Sequence, residues 1–134
     1  MNQCTGQPLR IRQTPTSNVD FYPTLLECAQ VQPDRRQRLD GVSILPVLKD
    51  PKAKRDRDAL FWHYPLEKPH FLGGRSSGAI RRGNWKLIEF FDTGITELYT
   101  LANDPGEKNN LAVSHPGKTA ELTRRLRRWR HDVG

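Results

Sequence analysis

The chain has 134 residues, a formal net charge of +7, a hydrophobic share of 35% and a mean hydropathy of -0.75. This length favours one thinly cored domain, and no apolar run reaches the length of a membrane span or forms the apolar region of a signal peptide. The positive charge favours acidic partners such as nucleic acid, anionic lipid or sulfated ligands, without choosing among them.

The N-terminal part is predicted to hold a tail and a short helix. Residues 1–17 are polar and aperiodic, as in a tail or linker. A helix is predicted to begin at Asn18 and to end before Pro33, with Asp20 as its cap rather than as a metal ligand. Its apolar residues recur at helical spacing and are Val19, Tyr22, Leu25, Leu26 and Ala29.

A second, shorter helix is predicted around Pro46, a residue that suits a first helical turn. Ser43 can cap this helix, Leu45 and Leu48 are expected to face inward, and Pro51 stops it.

The first strand is predicted in the apolar run ALFWHYP at 59–65. Its unbroken apolar character is typical of a largely buried strand, which Pro65 ends. The segment 66–78 that follows is rich in Gly and Pro, so it is predicted to be a mobile loop.

Three further strands are predicted to continue as an antiparallel meander, because the turns between them are short. They are SGAIR from Ser77, WKLIEFF after a turn at 82–84, and ITELYTL after a turn at 92–94.

The middle strand of the meander is apolar on both faces. Trp85, Leu87 and Phe91 fall on one face, and Ile88 and Phe90 on the other, so each face is predicted to need cover. The chain by itself is therefore expected to be poorly soluble or oligomeric.

The last element is predicted to be a helix that covers one of these faces. Leu122, Leu126, Trp129 and Val133 fall at i, i+4, i+7 and i+11, which is one stripe of a helix. Trp85 and Trp129 are therefore interpreted as core residues rather than as ligand platforms.

The stretch between the last strand and this helix, NDPGEKNNL at 103–111, is predicted to be a tight turn. Asp104 can accept a backbone hydrogen bond, Pro105 fixes one φ, and Gly106 is expected to supply the positive φ of a type II turn. Asn109 and Asn110 can satisfy loose backbone groups while Leu111 enters the core.

Five segments together resemble one known family. They are VDFYPTLLECA at 19–29, LDGVSILPVL at 39–48, ALFWHYP at 59–65, SGAIRRGNWKLIEFF at 77–91 and ELYTLANDPGEKNNLA at 97–112. In this order they resemble the C-terminal part of a type I sulfatase, of the arylsulfatase-like family.

The resemblance implies a parent enzyme that hydrolyses sulfate esters, with a large N-terminal α/β domain and a smaller C-terminal subdomain. The fold class is therefore expected to be α+β, a four-stranded antiparallel sheet with a packed C-terminal helix after one or two short helices. Residues 1–17 would be a tail, 18–58 a helical segment that joins the catalytic domain, and 59–134 the sheet and helix subdomain.

The catalytic groups that the resemblance implies are not recognisable in this sequence. Members of the family use a formylglycine made from a C/S-x-P-S-R motif beside a calcium ion that Asp and Asn hold. Cys4 begins CTGQP and Cys28 begins CAQVQ, and neither matches, while no Asp cluster suggests a calcium cage. We expect a truncated product without catalytic residues, metal ligands or sulfatase activity, with calcium and formylglycine belonging to the complete parent.

Three residues near the end of the first strand are candidate substrate-binding residues, namely His63, Tyr64 and His70. The resemblance implies that this region approaches the active-site cleft and binds a sulfated small molecule or polysaccharide. An imidazole can donate a hydrogen bond to a sulfate or to a sugar hydroxyl. The alternative is a structural His63 and a solvated His70.

The alternative function is a non-catalytic basic module that binds nucleic acid or sulfated polysaccharide. The arginines of TRRLRRWRHD could form its anion-binding face. No aromatic stacking set accompanies them, so nucleic acid is the less favoured partner.

The sequence does not decide the cellular compartment of the protein. Cys4 and Cys28 form no CxxC motif, and whether they pair is undecided. The sequence shows no signal peptide, although the family that it resembles is often periplasmic or secreted.

Overall fold

The structure, a computed structural model, describes residues 14–50, 52–53, 57–68 and 74–133. The chain forms two compact units, Met1–Arg57 and Asp58–Gly134. In the described part of the chain, no helix is long and apolar enough to cross a membrane.

The first unit contains a 3-10 turn at Asn18–Asp20, helix α1 at Phe21–Cys28 and helix α2 at Leu45–Lys49. The apolar residues that recur at helical spacing do not form a buried stripe on α1. The apolar side chains of Val19, Tyr22 and Leu25 are exposed, and the buried residues of this segment are polar, Asp20 and Thr24.

A polar network explains this inverted burial. Asp20 accepts the backbone N–H groups of Ser17 at 2.9 Å and of Val42 at 3.0 Å. The hydroxyl of Thr24 donates to the Asp20 carbonyl at 2.6 Å and accepts the N–H of Ile44 at 3.0 Å. Buried polar groups are retained when hydrogen bonds satisfy them, so this network fastens the chain around 42–44 to α1.

The role predicted for Asp20 is therefore corrected. Asp20 occupies the N-cap position of α1, but its side chain makes no capping hydrogen bond to that helix. It accepts the N–H of Ser17, which precedes the 3-10 turn, because it is the third residue of that turn.

Helix α2 confirms Leu45 as a buried residue but not Leu48. The Oγ of Ser43 accepts the N–H of Leu45 at 3.1 Å at the start of the helix. Val47 is buried instead of Leu48, which is 52% exposed. A five-residue helix is little more than one turn, so the flanking chain rather than a helical stripe decides which side chains it buries.

The second unit is a four-stranded antiparallel sheet with one helix, which confirms the predicted α+β fold. The strands are β1 at Leu60–Tyr64, β2 at Ser77–Arg82, β3 at Trp85–Phe90 and β4 at Thr96–Thr100, in the spatial order β1-β2-β3-β4. Gly83 and Gly94 have positive φ values of 57° and 68°, which fit the tight turns that join β2 to β3 and β3 to β4.

Helix α3 at Pro116–Val133 packs on one face of this sheet. The register places Ile80, Leu87 and Leu98 side by side on that face, where Leu122 and Leu126 of α3 meet them. All five side chains are fully buried, so this is the core of the unit.

The aromatic residues at the edge of this core confirm the interpretation of both tryptophans. The ring of Trp129 stacks on that of Phe61 at 4.9 Å, and Trp85 packs against the core beside His115. The last residue of the predicted stripe is an exception, because Val133 is 51% exposed.

The prediction that β1 is largely buried is wrong. Leu60 is buried, but Trp62 and Tyr64 are 41% and 50% exposed. β1 lies at the edge of the sheet, and these two side chains point away from the face that α3 covers. In residues 58–68 and 74–133, α3 is the only helix, so no helix of this unit covers the opposite face.

The turn after β4 differs from the prediction in one φ angle. The N–H of Glu107 donates to the Asp104 carbonyl, and Asp104 accepts the N–H groups of Lys108 and Asn109. The residue with positive φ is Glu107, at 53°, and not Gly106, so the turn is not of type II. A salt bridge of 2.7 Å to Lys86 holds the side chain of Glu107.

The end of the turn agrees with the prediction. Leu111 packs against the core, and its N–H donates to the Leu98 carbonyl at 2.8 Å. The side-chain oxygen of Asn110 accepts the N–H groups of Leu98 and Ala112. These bonds extend the edge of β4 and fix the entry to α3.

Candidate functional site

A cleft of about 250 Å³ lies where β1 and β3 end beneath the last turns of α3. The residues that line it are His63, Glu89, Phe90, Phe91, Gly94 and Arg130. All belong to the second unit, so the sheet and its helix build the cleft by themselves.

The floor of the cleft depends on a glycine. His63 pairs with Gly78 across one strand boundary, and Gly78 pairs with Glu89 across the next, so the three residues form one row. A Cβ at Gly78 would lie 3.1 Å from Cζ of Phe91. The missing side chain at Gly78 therefore makes room for the Phe91 ring.

The charge in the cleft comes from the buried carboxylate of Glu89 and from Arg130 of α3, and Arg127, which does not line the cleft, also pairs with Glu89. The Oε1 of Glu89 accepts Nε–H of Arg127 at 2.7 Å, and Nη2 of Arg127 lies 2.6 Å from the same oxygen. Nη1 of Arg130 lies 3.3 Å from Oε2 of Glu89. Short charge-assisted bonds such as those of Arg127 are the stronger ones, so Arg130 is the less tightly held of the two arginines.

Two side chains that flank the floor contact the Phe91 ring. Cζ of Arg130 lies 4.6 Å from the ring centroid of Phe91, and the His63 ring lies 5.4 Å from it at an angle of 48°. A guanidinium over an aromatic face is attracted by the ring quadrupole. Phe91 thus orients Arg130 and His63 toward the same space.

Arg75 stabilises the turn beside the cleft. The Arg75 guanidinium donates to Asp92 at 2.8 Å and 3.1 Å and lies 4.2 Å from the centroid of the Phe90 ring. The hydrogen bond from Arg75 holds the pKa of the Asp92 carboxyl below its usual range. This bidentate pair fixes the segment before β2 to the β3–β4 turn.

The three predicted substrate-binding residues do not meet in one place. His63 lines the cleft and is exposed. Tyr64 is the next residue of the strand, so its side chain points to the opposite face of the sheet. His70 lies outside the residues that the structure describes.

Several arginines of α3 form ion pairs within the fold, which weakens the hypothesis of a basic binding module. Arg125 pairs with Asp58 at 2.9 Å, and Arg127 and Arg130 pair with Glu89. Only Arg124 and Arg128 make no ion pair in the part of α3 that the structure describes, 116–133. Pairing within the fold reduces the charge that α3 can offer to a polyanion.

The sequence analysis did not identify four residues of the cleft. They are Glu89 and Arg130 as its charged groups, Phe91 as its floor and Gly78 as the position that makes room for Phe91. Glu89 did carry a signal, because it is the charged member of the otherwise apolar set Trp85, Leu87 and Phe91. A charge on a buried strand face requires a partner, and the basic helix that follows supplies it. The position of Gly78 needs the strand register, which the sequence alone does not fix.

Comparison with known proteins shows the family. Residues 7–132 match the family described as N-sulphoglucosamine sulphohydrolase, C-terminal, and the chain belongs to this family. This confirms the resemblance to the C-terminal part of a sulfatase.

Two curated relatives illustrate the match. A sulfatase from Formosa agariphila is 33% identical over 83% of this chain and 22% of its own length. Human arylsulfatase K is 33% identical over 82% of this chain and 21% of its own length. The chain thus spans about a fifth of the length of these relatives.

Two solved structures are similar to this chain in fold. BT4656, in complex with its substrate D-glucosamine-2-N,6-O-disulfate, is 34% identical with a TM-score of 0.70, over 85% of this chain and 24% of that one. A phosphonate monoester hydrolase from Silicibacter pomeroyi is 26% identical with a TM-score of 0.65, over 88% of this chain and 25% of that one.

Proposed function

We propose that this chain acts as the C-terminal subdomain of a sulfatase whose complete polypeptide hydrolyses sulfate esters, and that its 134 residues are inactive alone. The observation that carries the proposal is the family match over residues 7–132, in a chain that spans about a fifth of its curated relatives.

We expect the catalytic groups to lie in the remainder of the sulfatase and not in this chain. Calcium and formylglycine, when present in the complete enzyme, would supply the charge stabilisation and the nucleophile for sulfate ester cleavage. In the described residues, no group of three or more His, Cys, Asp or Glu side chains could hold a metal ion. We therefore propose that the calcium ligands lie in the remainder of the sulfatase.

The subdomain contributes packing through the sheet face that α3 leaves uncovered. Trp62 and Tyr64 expose large aromatic surfaces there, and exposed apolar patches mark surfaces that another protein covers. We assign this face to contact with the remainder of the sulfatase.

The subdomain also contributes to substrate binding, through His63 in the cleft. An imidazole N–H can donate to a sulfate oxygen or to a sugar hydroxyl. Tyr64 and His70 stay predicted substrate-binding residues beside it. The sulfated glucosamine bound by BT4656 supports a sulfated small molecule or polysaccharide as the substrate class.

The test begins with the DNA upstream of this reading frame, which should encode a C/S-x-P-S-R motif in the same frame or across a frameshift. Sulfate ester hydrolysis is then measured for the 134-residue chain and for the longer polypeptide that includes the motif. We expect hydrolysis by the longer polypeptide only. Hydrolysis by the short chain, or absence of the motif over some thousand bases, contradicts the proposal.

A further inference from the structure

Strand β1 forms an open edge of the sheet. It stands first in the strand order, and in the described part of the chain it pairs with β2 alone. An edge strand presents unpaired backbone N–H and C=O groups, to which another strand can be added. Proteins commonly protect such edges with charged side chains, proline or bulges. Leu60–Tyr64 contains none of these and follows β2 in unbroken register.

The hydrogen-bond pattern of the sheet shows which residues of β1 point outward. The N–H of Phe91 donates to the Ser76 carbonyl at 2.9 Å, so Ser76 and every second residue after it bond to β3. The alternate residues of β2 therefore bond to β1. Phe61 and His63 lie opposite residues of the first set, so their backbone N–H and C=O groups point away from β2. Among the described residues, no backbone hydrogen bond outside the sheet uses these groups.

The outer edge of β1 is complementary to a second copy of itself. When two copies pair antiparallel about a two-fold axis at Trp62, all five residues of each strand overlap. Phe61 of one copy then lies opposite His63 of the second copy, and the two residues exchange both of their backbone hydrogen bonds. The two-fold axis repeats this pair, so the outward groups of both strands are satisfied.

The side chains favour the same register. Trp62 lies opposite Trp62 of the second copy, and Tyr64 lies opposite its Leu60. Trp62 and Tyr64 are 41% and 50% exposed, so the pairing covers aromatic surface that a single copy leaves in water. The chain carries a net charge of +7, yet Leu60–Tyr64 contains no Lys, Arg, Asp or Glu, so the pairing places no like charges opposite each other.

A second copy suits this edge better than another extended segment. Any other occupant must supply its own free N–H and C=O groups over a matching length, whereas every copy of the chain carries them, and one pairing satisfies two open edges. The two-fold axis is perpendicular to the sheet, so both copies keep α3 on the same side. The face opposite α3 stays available for contact with the remainder of the sulfatase.

We propose that two copies of this chain associate through β1, which joins their four-stranded sheets into one continuous antiparallel sheet. The inference goes beyond the proposed function, because it concerns the edge of the sheet and involves no catalytic group. The interface is short, so we expect a weak dimer with a dissociation constant on the order of 10 μM.

Engineered cysteines test the register of the pairing. In a background of Cys4→Ser and Cys28→Ser, the chain carries either Trp62→Cys or Tyr64→Cys. The Cα atoms at position 62 of the two copies should lie about 4.5 Å apart, which allows a disulfide. The two positions 64 are offset by four residues along the strand, or roughly 13 Å, which does not allow one.

The measurement is a non-reducing gel after oxidation, at protein concentrations near the expected dissociation constant. We expect about tenfold more disulfide-linked dimer from Trp62→Cys than from Tyr64→Cys. The two positions are neighbours on the same face of β1 and are similarly exposed, so random collisions should cross-link them equally.

Proline at position 63 tests the backbone hydrogen bonds. His63→Pro removes an N–H that points outward, so the pairing of β1 with β2 is kept, and proline is tolerated at such edge positions. His63→Ala is the matched control, because it removes the same ring but keeps the N–H. By analytical ultracentrifugation, His63→Pro should associate about tenfold more weakly than His63→Ala. A thermal melt verifies the fold of each variant, and if His63→Pro does not fold, the cysteine variants decide.

Two results overturn the inference. One is equal cross-linking of the two cysteine variants, including no cross-linking of either, which is the outcome if another segment occupies the edge. The other is equal association of folded His63→Pro and His63→Ala. The proposed function is judged separately, because hydrolysis by the longer polypeptide does not depend on either result.

Discussion

Nη1 of Arg57 lies 2.8 Å from Oδ1 of Asp20, a carboxylate that is fully buried. Nη2 of the same arginine donates to the Asp40 carbonyl at 2.8 Å. The side chain of Arg57 thus ties the last residue of the first unit to both the start of α1 and the loop before α2.

Asp20→Asn should destabilise the first unit by about 3 kcal/mol, because removing one partner of a buried ion pair leaves an uncompensated charge. Hydrogen exchange of the α1 amides measures the change. Glu27→Gln makes the same carboxylate-to-amide change at an exposed position of α1 and should alter stability by less than ~0.5 kcal/mol. Equal effects of the two variants would show that the Asp20 network does not hold the unit.

Gly41→Ala should destabilise the first unit by about 2 kcal/mol or more, because its Cβ would fall 1.9 Å from the carbonyl oxygen of Val19. Backbone must move to relieve that contact. Gly117→Ala is the control, since nothing lies within 4 Å of a Cβ there, and it should stabilise α3 by roughly 0.5 kcal/mol. Exchange rates of amides in each unit report both changes. Tolerance of alanine at Gly41 would refute the close approach to Val19.

Trp129→Ala should cost roughly 3 kcal/mol of stability in the second unit, because it removes the stack on Phe61 and leaves a cavity beside the core. Val133→Ala lies on the same helix but is exposed, and should change stability by less than ~0.5 kcal/mol. Thermal unfolding followed by near-ultraviolet circular dichroism compares them. A large loss of stability in Val133→Ala would show that Val133 also packs on the sheet, as the sequence predicts.

The alkaline stability of the second unit should depend on Tyr99. Burial raises the pKa of Tyr99 to about 12, and its hydrogen bond to Glu97 adds to this. The folded state therefore favours the neutral phenol, whose stabilising effect is complete below pH 10 and is lost as the pH rises from about 10 to about 12. Absorbance at alkaline pH should show this late phenol titration, and Tyr99→Phe should abolish it. Ionisation of Tyr99 at its ordinary pKa of 10.0 contradicts the prediction.

The exposed aromatic side chains on the sheet face opposite α3 should make the chain self-associate. Trp62→Lys and Tyr64→Lys place charges on this face and should give a monomer by size-exclusion chromatography with light scattering. Val113→Lys makes a similar change at an almost fully exposed position elsewhere and should leave the association unchanged. A monodisperse wild-type monomer that melts cooperatively would contradict both this prediction and the need for cover.

The second unit follows closely from its sequence because its patterns are local. The turns at Gly83 and Gly94 separate strands of alternating apolar residues, and the spacing of Leu122, Leu126 and Trp129 identifies the helix that covers them. Side-chain periodicity therefore predicts both the meander and one of its covered faces.

The first unit is less predictable because polar side chains hold it. Val19, Tyr22 and Leu25 recur at helical spacing but are exposed, whereas the structure buries Asp20 and Thr24. Their partners, Val42 and Ile44, are about twenty residues away along the chain. No local sequence pattern predicts such a network, because these hydrogen bonds depend on tertiary contacts.

The cleft was predictable only through His63. Strand register brings Gly78 between His63 and Glu89, and helix docking brings Arg130 over Phe91. Both relationships depend on how elements meet in space, and neither leaves a motif in the sequence.

The order of the strands has a consequence for synthesis on the ribosome. Each strand pairs with its neighbour in the chain, so the sheet can assemble hairpin by hairpin as it emerges. Helix α3 comes later, and until Leu122 and Leu126 arrive, Ile80, Leu87 and Leu98 form a bare aliphatic strip. A nascent chain paused before residue 116 would present that strip to chaperones, and it would do so while its backbone pairing was already complete.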